Sequence, residues 1–227
     1  QIDALAPKVI ATMYELANDT DVEKKSLVAA VIRLLKYRAD GLSKSTIGQI
    51  RELDVVLTGH TLWDRVSRFV LHTNWDEDIS NDGDTVEDSD VPLKRSASLA
   101  EELMANIEIF SDYVRRLLVS SGHRLPTLGF ECGRLAADSE YDQTILAPIL
   151  ESDPGLNAEF LGGYLGGIRS IDEDRWESTL TVLLDNAETR LYGLWGVASS
   201  GFSEHIMDKL IALYMDGKIE ANAFDRF

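Results

Sequence analysis

Three stretches between Leu128 and Gly217 can be laid over one another as imperfect copies of one unit. They read LGFECGRLAADSEYDQTILAPIL (Leu128–Leu150), LGGYLGGIRSIDEDRWESTLTVLL (Leu161–Leu184) and LYGLWGVASSGFSEHIMDKLIALYM (Leu191–Met215). Each opens with a glycine-punctuated apolar segment, crosses a polar connection and closes with an amphipathic run. Gly133, Gly166 and Gly196 mark corresponding places, and Leu183 and Leu213 are expected to be buried equivalents. A period of about 30–34 residues is that of helix-hairpin repeats. A single hairpin of this size cannot bury its own apolar face, so such units fold by stacking on one another. The pattern predicts an all-α chain of antiparallel helical hairpins, with no sheet of three or more strands.

The preceding chain reads as more helix. Leu5, Val9, Met13 and Leu16 recur at helical spacing over residues 2–17. Thr20 and Glu23 form a T-x-x-E capping box before a stripe of Leu27, Val28, Val31, Leu34 and Leu35, which Gly41 is placed to end. Gly41-Leu42-Ser43 returns as Gly201-Phe202-Ser203, with glycine to stop one helix and serine to cap the next. Leu42 or Phe202 would then staple onto Ile47 or Met207, while Ile50 and Leu53 correspond to Leu210 and Leu213. Gly59 offers another stop, followed by an amphipathic helix from His60 to Leu71. Ser98 and Glu101 form a further capping box, opening what reads as the longest helix, through Val119. Gly122 is placed to end it, and Pro126 to start the first clear unit.

Between Trp75 and Asp90 the periodicity collapses into an acidic run without Lys or Arg. Like charges and few apolar anchors predict a flexible loop that folding does not need. The expected organisation is therefore N-terminal hairpins over 1–74, an acidic loop over 75–96, and a continuous array over 97–227. The missing initiator Met points to a chain that begins at a trimmed, processed or interior position. The apolar face of Ile219, Ala223, Phe224 and Phe227 suggests that the native polypeptide continues beyond it.

Charge and composition narrow the functional classes. A net charge of −17 opposes contact with nucleic-acid phosphates or anionic membrane surfaces. No apolar run reaches the length needed to span a membrane, and the N-terminus lacks a signal-peptide pattern. One cysteine, Cys132, excludes an intramolecular disulfide and fits a reducing, cytoplasmic setting.

Specific chemistry is weakly encoded. An EF-hand placed at Asp78 fails at Ser89, where the last acidic ligand belongs. His60, Asp64, Arg68 and His72 stand four apart without a second ligand set. Asp138, Glu140 and Asp142, like Asp172, Glu173 and Asp174, fall between helices of two units, where carboxylates suit helix N-termini. Cys132 sits in an apolar segment and reads as a small buried hydrophobe. The phosphate-loop, nucleophile-elbow and dinucleotide signatures are missing, and no cofactor or metal is expected.

The glycine-containing first helices, polar turns and leucine-rich second helices resemble HEAT-type α-helical repeats, clearly over Leu128–Gly217 and again over Leu27–Leu57. The LGG-rich helix, the leucine-rich helix and the DGKI ending also resemble helical arrays in the C-terminal parts of large bacterial multidomain proteins. Some of those arrays are NTPase-linked or defence-associated; this chain has no NTPase motif. The HEAT resemblance implies an α-solenoid acting as a scaffold that binds another protein or another domain of its parent chain, with no catalytic residues to transfer. The candidate contact residues are the turn positions Asp138, Glu140, Asp142, Arg169, Asp172, Asp174 and Arg175. Two other readings stay open. One is an acidic decoy for a basic nucleic-acid-binding protein; the other is an all-helical enzyme using carboxylates or histidines.

Overall fold

A computed structural model describes residues 2–17, 27, 30–31, 41–71, 91–151 and 156–221. Every regular element among the described residues is helical. In chain order these are α1 (Ile2–Ala17), α2 (Lys44–Thr58), α3 (Leu62–Val66, continued by a π turn at Ser67–Leu71), α4 (Val91–Leu103) and α5 (Ile107–Val119). Six more follow: α6 (Leu125–Leu135), α7 (Ser139–Leu150), α8 (Ala158–Arg169), α9 (Glu173–Asp185), α10 (Arg190–Ser200) and α11 (Glu204–Met215). The chain divides into two compact units, Gln1–Pro92 and Leu93–Phe227.

In the first unit Ile10, Leu27, Val31, Ile50, Leu53 and Leu57 form one buried cluster, with Met13, Tyr14, Leu16 and Leu42 packed against it. The buried stripe of α1 thus runs through Ile10, and Val9, expected on that stripe, is exposed. The caps follow the sequence closely. Ser43 accepts from the Thr46 N–H, and Gly59 ends α2 at φ 85°, which glycine tolerates without strain. Thr61 and Asp64 form a reciprocal capping box at the start of α3. The Thr20–Glu23 box lies outside the described residues. So does the acidic segment through Asp90; from Val91, inside the expected loop, the chain is helical.

In the second unit, the single helix expected from Ser98 to Val119 is two helices. Asn106 adopts an extended conformation and its Oδ1 accepts from the Ile109 N–H at 2.8 Å, which starts a new helix. Ser98 lies inside α4, which begins at Val91, so the capping role expected for it is not realised. Pro126 sits in the first turn of α6, where its missing N–H costs nothing. The polar connections fall as the three copies suggested, with Asp138, Asp172 and Ser203 capping α7, α9 and α11. Leu183 and Leu213 are both buried.

The closest packing lies between α6 and α8 and between α8 and α10. Its cause is glycine. A Cβ at Gly129 or Gly133 would strike the carbonyls of Phe160 or Tyr164, and one at Gly163 or Gly167 would strike those of Pro126 or Phe130. The contacts advance in the same direction along both helices, so α6 and α8 run parallel, backbone against backbone. Beside this seam, Phe110, Tyr141, Phe160 and Tyr164 form a chain of rings with centroids 5.6–6.4 Å apart. No described helix is long and apolar enough to cross a membrane.

Candidate functional site

The turn residues singled out by sequence divide into two kinds. Asp138 and Asp172 are exposed and cap their helices, accepting from the backbone N–H groups of Glu140 and Arg175. Glu140 and Asp174 are exposed in first helical turns, where the helix dipole favours a carboxylate. Asp142 and Arg175, expected to be exposed contact residues, instead form a buried ion pair. Their side chains are 5% and 13% accessible, and Arg175 grips the carboxylate through Nε at 2.5 Å and Nη2 at 2.7 Å. Arg175 also donates to the carbonyls of Ala136 and Asp138, while the Tyr164 hydroxyl donates to Asp142 at 2.8 Å. Burial, with the Asp142 charge alongside, pushes the Tyr164 phenol far above its ordinary range. The cluster therefore holds the α6–α7 turn onto α8 and α9.

Arg169 has a comparable place at the end of α8. Its guanidinium lies 4.4 Å from the Trp176 ring centroid and donates to the carbonyls of Ser200, at 2.8 Å, and Phe202, at 3.0 Å. Arg190 does the same for Leu184 at the end of α9. Arginine is suited to this work because its rigid fork satisfies several of the acceptors that a helix C-terminus leaves over. Sequence spacing places these arginines in turns, but not which way their long side chains reach.

The remaining chemical candidates resolve locally. Asp64 is engaged by Thr61, whose hydroxyl and backbone hold its carboxyl below the usual range. Arg68 pairs with Asp54 at 3.7 Å, and His72 lies outside the described residues. Cys132 is fully buried, and desolvation drives its thiol well above the ordinary value, opposite to what a nucleophile needs. Among the described residues no group of three or more His, Cys, Asp or Glu could hold a metal ion.

A concave feature lies elsewhere. A groove of about 1160 Å³ lies over α6, α8 and α10, with Gly162, Gly163 and Gly166 among its lining residues. Phe130 on α6 and Trp195 on α10 stand on either side, with Leu93 and Val119 adding exposed apolar surface. Gly166 differs from its neighbours. The nearest atoms a Cβ there would meet are in the Phe130 ring at 3.5 Å and the Ser200 Cβ at 3.9 Å, ordinary contact distances. Packing thus requires glycine at 163 and 167 but not at 166, where it leaves depth in the groove. A glycine in a helix interior costs about 0.5–1 kcal/mol relative to alanine. The signal available in the sequence was the doubled spacing Gly162-Gly163 and Gly166-Gly167. Adjacent residues point about 100° apart on a helix, so two such pairs put glycine on two faces.

Comparison with family models, with curated proteins and with solved structures gives no match for this chain.

Proposed function

We propose that this chain is a non-catalytic interaction module, built from stacked helical hairpins of the α-solenoid kind. It binds a segment of another polypeptide, or of another domain of its parent chain, along the groove over α6, α8 and α10. The observation that supports the reading most is that groove: it draws on α6, α8 and α10, and one of its glycines has no packing reason to be glycine. Apolar grooves with few polar groups are where helical proteins take partner segments. The exposed turn positions, Asp138, Glu140, Asp172 and Asp174, serve as secondary contacts at most, because Asp138 and Asp172 cap their helices and Arg169 and Arg175 are committed to holding the array together.

The test is site-specific photo-crosslinking on the full chain, with the reactive group at Phe130 or Trp195 and, as controls, at exposed Ile171 or Val182. Groove positions should give discrete polypeptide adducts that Gly166→Leu abolishes without loss of helicity. Equal labelling at all four positions, or adducts indifferent to Gly166→Leu, would remove the groove from consideration. Charge reversal at Glu140 and Asp174 together should weaken the same adducts only slightly.

A further inference from the structure

We infer that the groove takes an α-helical partner segment with small and apolar residues on its contact face and Lys or Arg along its flank. The inference rests on the groove being the partner site and specifies what occupies it. Three features lead there. First, the groove is walled mainly by helices, with Ser121, Leu156 and Asn157 in the connections between them, so its described lining offers no strand edge. An extended segment laid there would leave its own N–H and C=O groups unpaired against apolar surface, whereas a helix brings its hydrogen bonds with it. Second, the molecule already shows how a helix seats on such a floor. Along the α6–α8 seam, Gly129 and Gly133 let one backbone rest on another, so a partner carrying Gly, Ala or Ser at its closest point can approach Gly166 in the same manner.

Third, the charge is one-sided. Among the described residues, the ionisable ones lining the groove are Glu131 on α6 and Glu159 in the first turn of α8, with no Lys, Arg or His beside them. Glu131 uses Oε2 toward Arg134 at 3.1 Å, and Glu159 uses Oε2 toward the Gly122 N–H at 2.9 Å. Each carboxylate has a second oxygen with which to meet a partner cation. An acidic segment, including a second copy of this chain at its net charge of −17, meets like charge at these two points.

The deciding experiment selects from a displayed library of helical peptides, randomised on one face and its flank, against the immobilised full chain. Binders are then sorted by competition with the Gly166→Leu and Trp195→Ala variants. Groove-dependent peptides should be enriched in Gly, Ala or Ser at the contact centre and in Lys or Arg on the flank. Their affinity should fall about fivefold in the Glu131→Gln/Glu159→Gln variant, the effect of two exposed ion pairs, and should fall again as salt is raised. Groove-dependent peptides with acidic or uncharged flanks, unaffected by that double variant, overturn the partner chemistry while leaving the groove as the site. Peptides whose binding ignores both Gly166→Leu and Trp195→Ala overturn the site itself. A dimer in sedimentation that Gly166→Leu dissociates assigns the groove to a second copy and also refutes the inference. If Gly166→Leu fails to fold, Trp195→Ala and the double glutamine variant, neither of which fills space, decide the outcome.

Discussion

Helix α8 carries glycine on two faces, and the two meet different surroundings. On the face toward α6, Gly163 and Gly167 touch the backbone of Pro126 and Phe130, and any side chain would force the helices apart. On the face that opens on the groove, Gly166 meets nothing closer than a ring edge at 3.5 Å. The same residue type, three positions and one position away on one helix, is thus explained by packing in one case and by space in the other. A glycine-rich helix is not read by counting glycines; what each missing side chain would touch decides its role.

The largest effect expected is at the end of the closed seam. Arg175→Met strands the buried Asp142 carboxylate and the turn carbonyls of Ala136 and Asp138, and should cost about 3–5 kcal/mol in urea unfolding. Adding Asp142→Asn should recover part of that loss, and no recovery would mean that the charge is not what matters. Gly167→Ala comes next. Overpacking against the Phe130 carbonyl should exceed the gain in helix propensity, for a net cost of about 1–3 kcal/mol. Arg169→Ala removes three hydrogen bonds, to the Ser200 and Phe202 carbonyls and the Glu173 carboxylate, and the stack on Trp176, at a cost of about 1–2 kcal/mol read from the thermal midpoint. Smallest, and opposite in sign, Gly166→Ala should stabilise the chain by about 0.5–1 kcal/mol while weakening groove-dependent binding. If it destabilises as much as Gly167→Ala, the two faces of α8 do not differ as described.

The sequence was informative wherever local chemistry decides structure. Ser43, Asp138, Asp172 and Ser203 cap the helices that follow them, Gly59 and Gly201 end helices at positive φ, and Leu183 and Leu213 point inward. These depend on a few neighbouring residues and on helical spacing. It was less informative where a side chain reaches across elements. Asp142 and Arg175 lie 33 positions apart, and each looks like a solvated turn residue until the turn is seen against α8 and α9. The helix start at Asn106 is hidden because the apolar spacing of the surrounding helices continues through it, although its side chain competes well for a helix start. The groove was invisible for a third reason: its walls, Phe130 and Trp195, read in one dimension as ordinary core positions, and only the packing of three helices leaves them at a surface.

One consequence of Gly166 concerns how such a surface can change over generations. At that point the groove floor presents main chain, and main-chain chemistry is the same whatever the codon. A single base change there replaces main chain with a side chain and makes the floor shallower. Heritable shifts in preference must therefore run through the ring positions at 130 and 195 and the carboxylates at 131 and 159. A lineage that exchanged those four while holding residue 166 would acquire a new partner on an old seat.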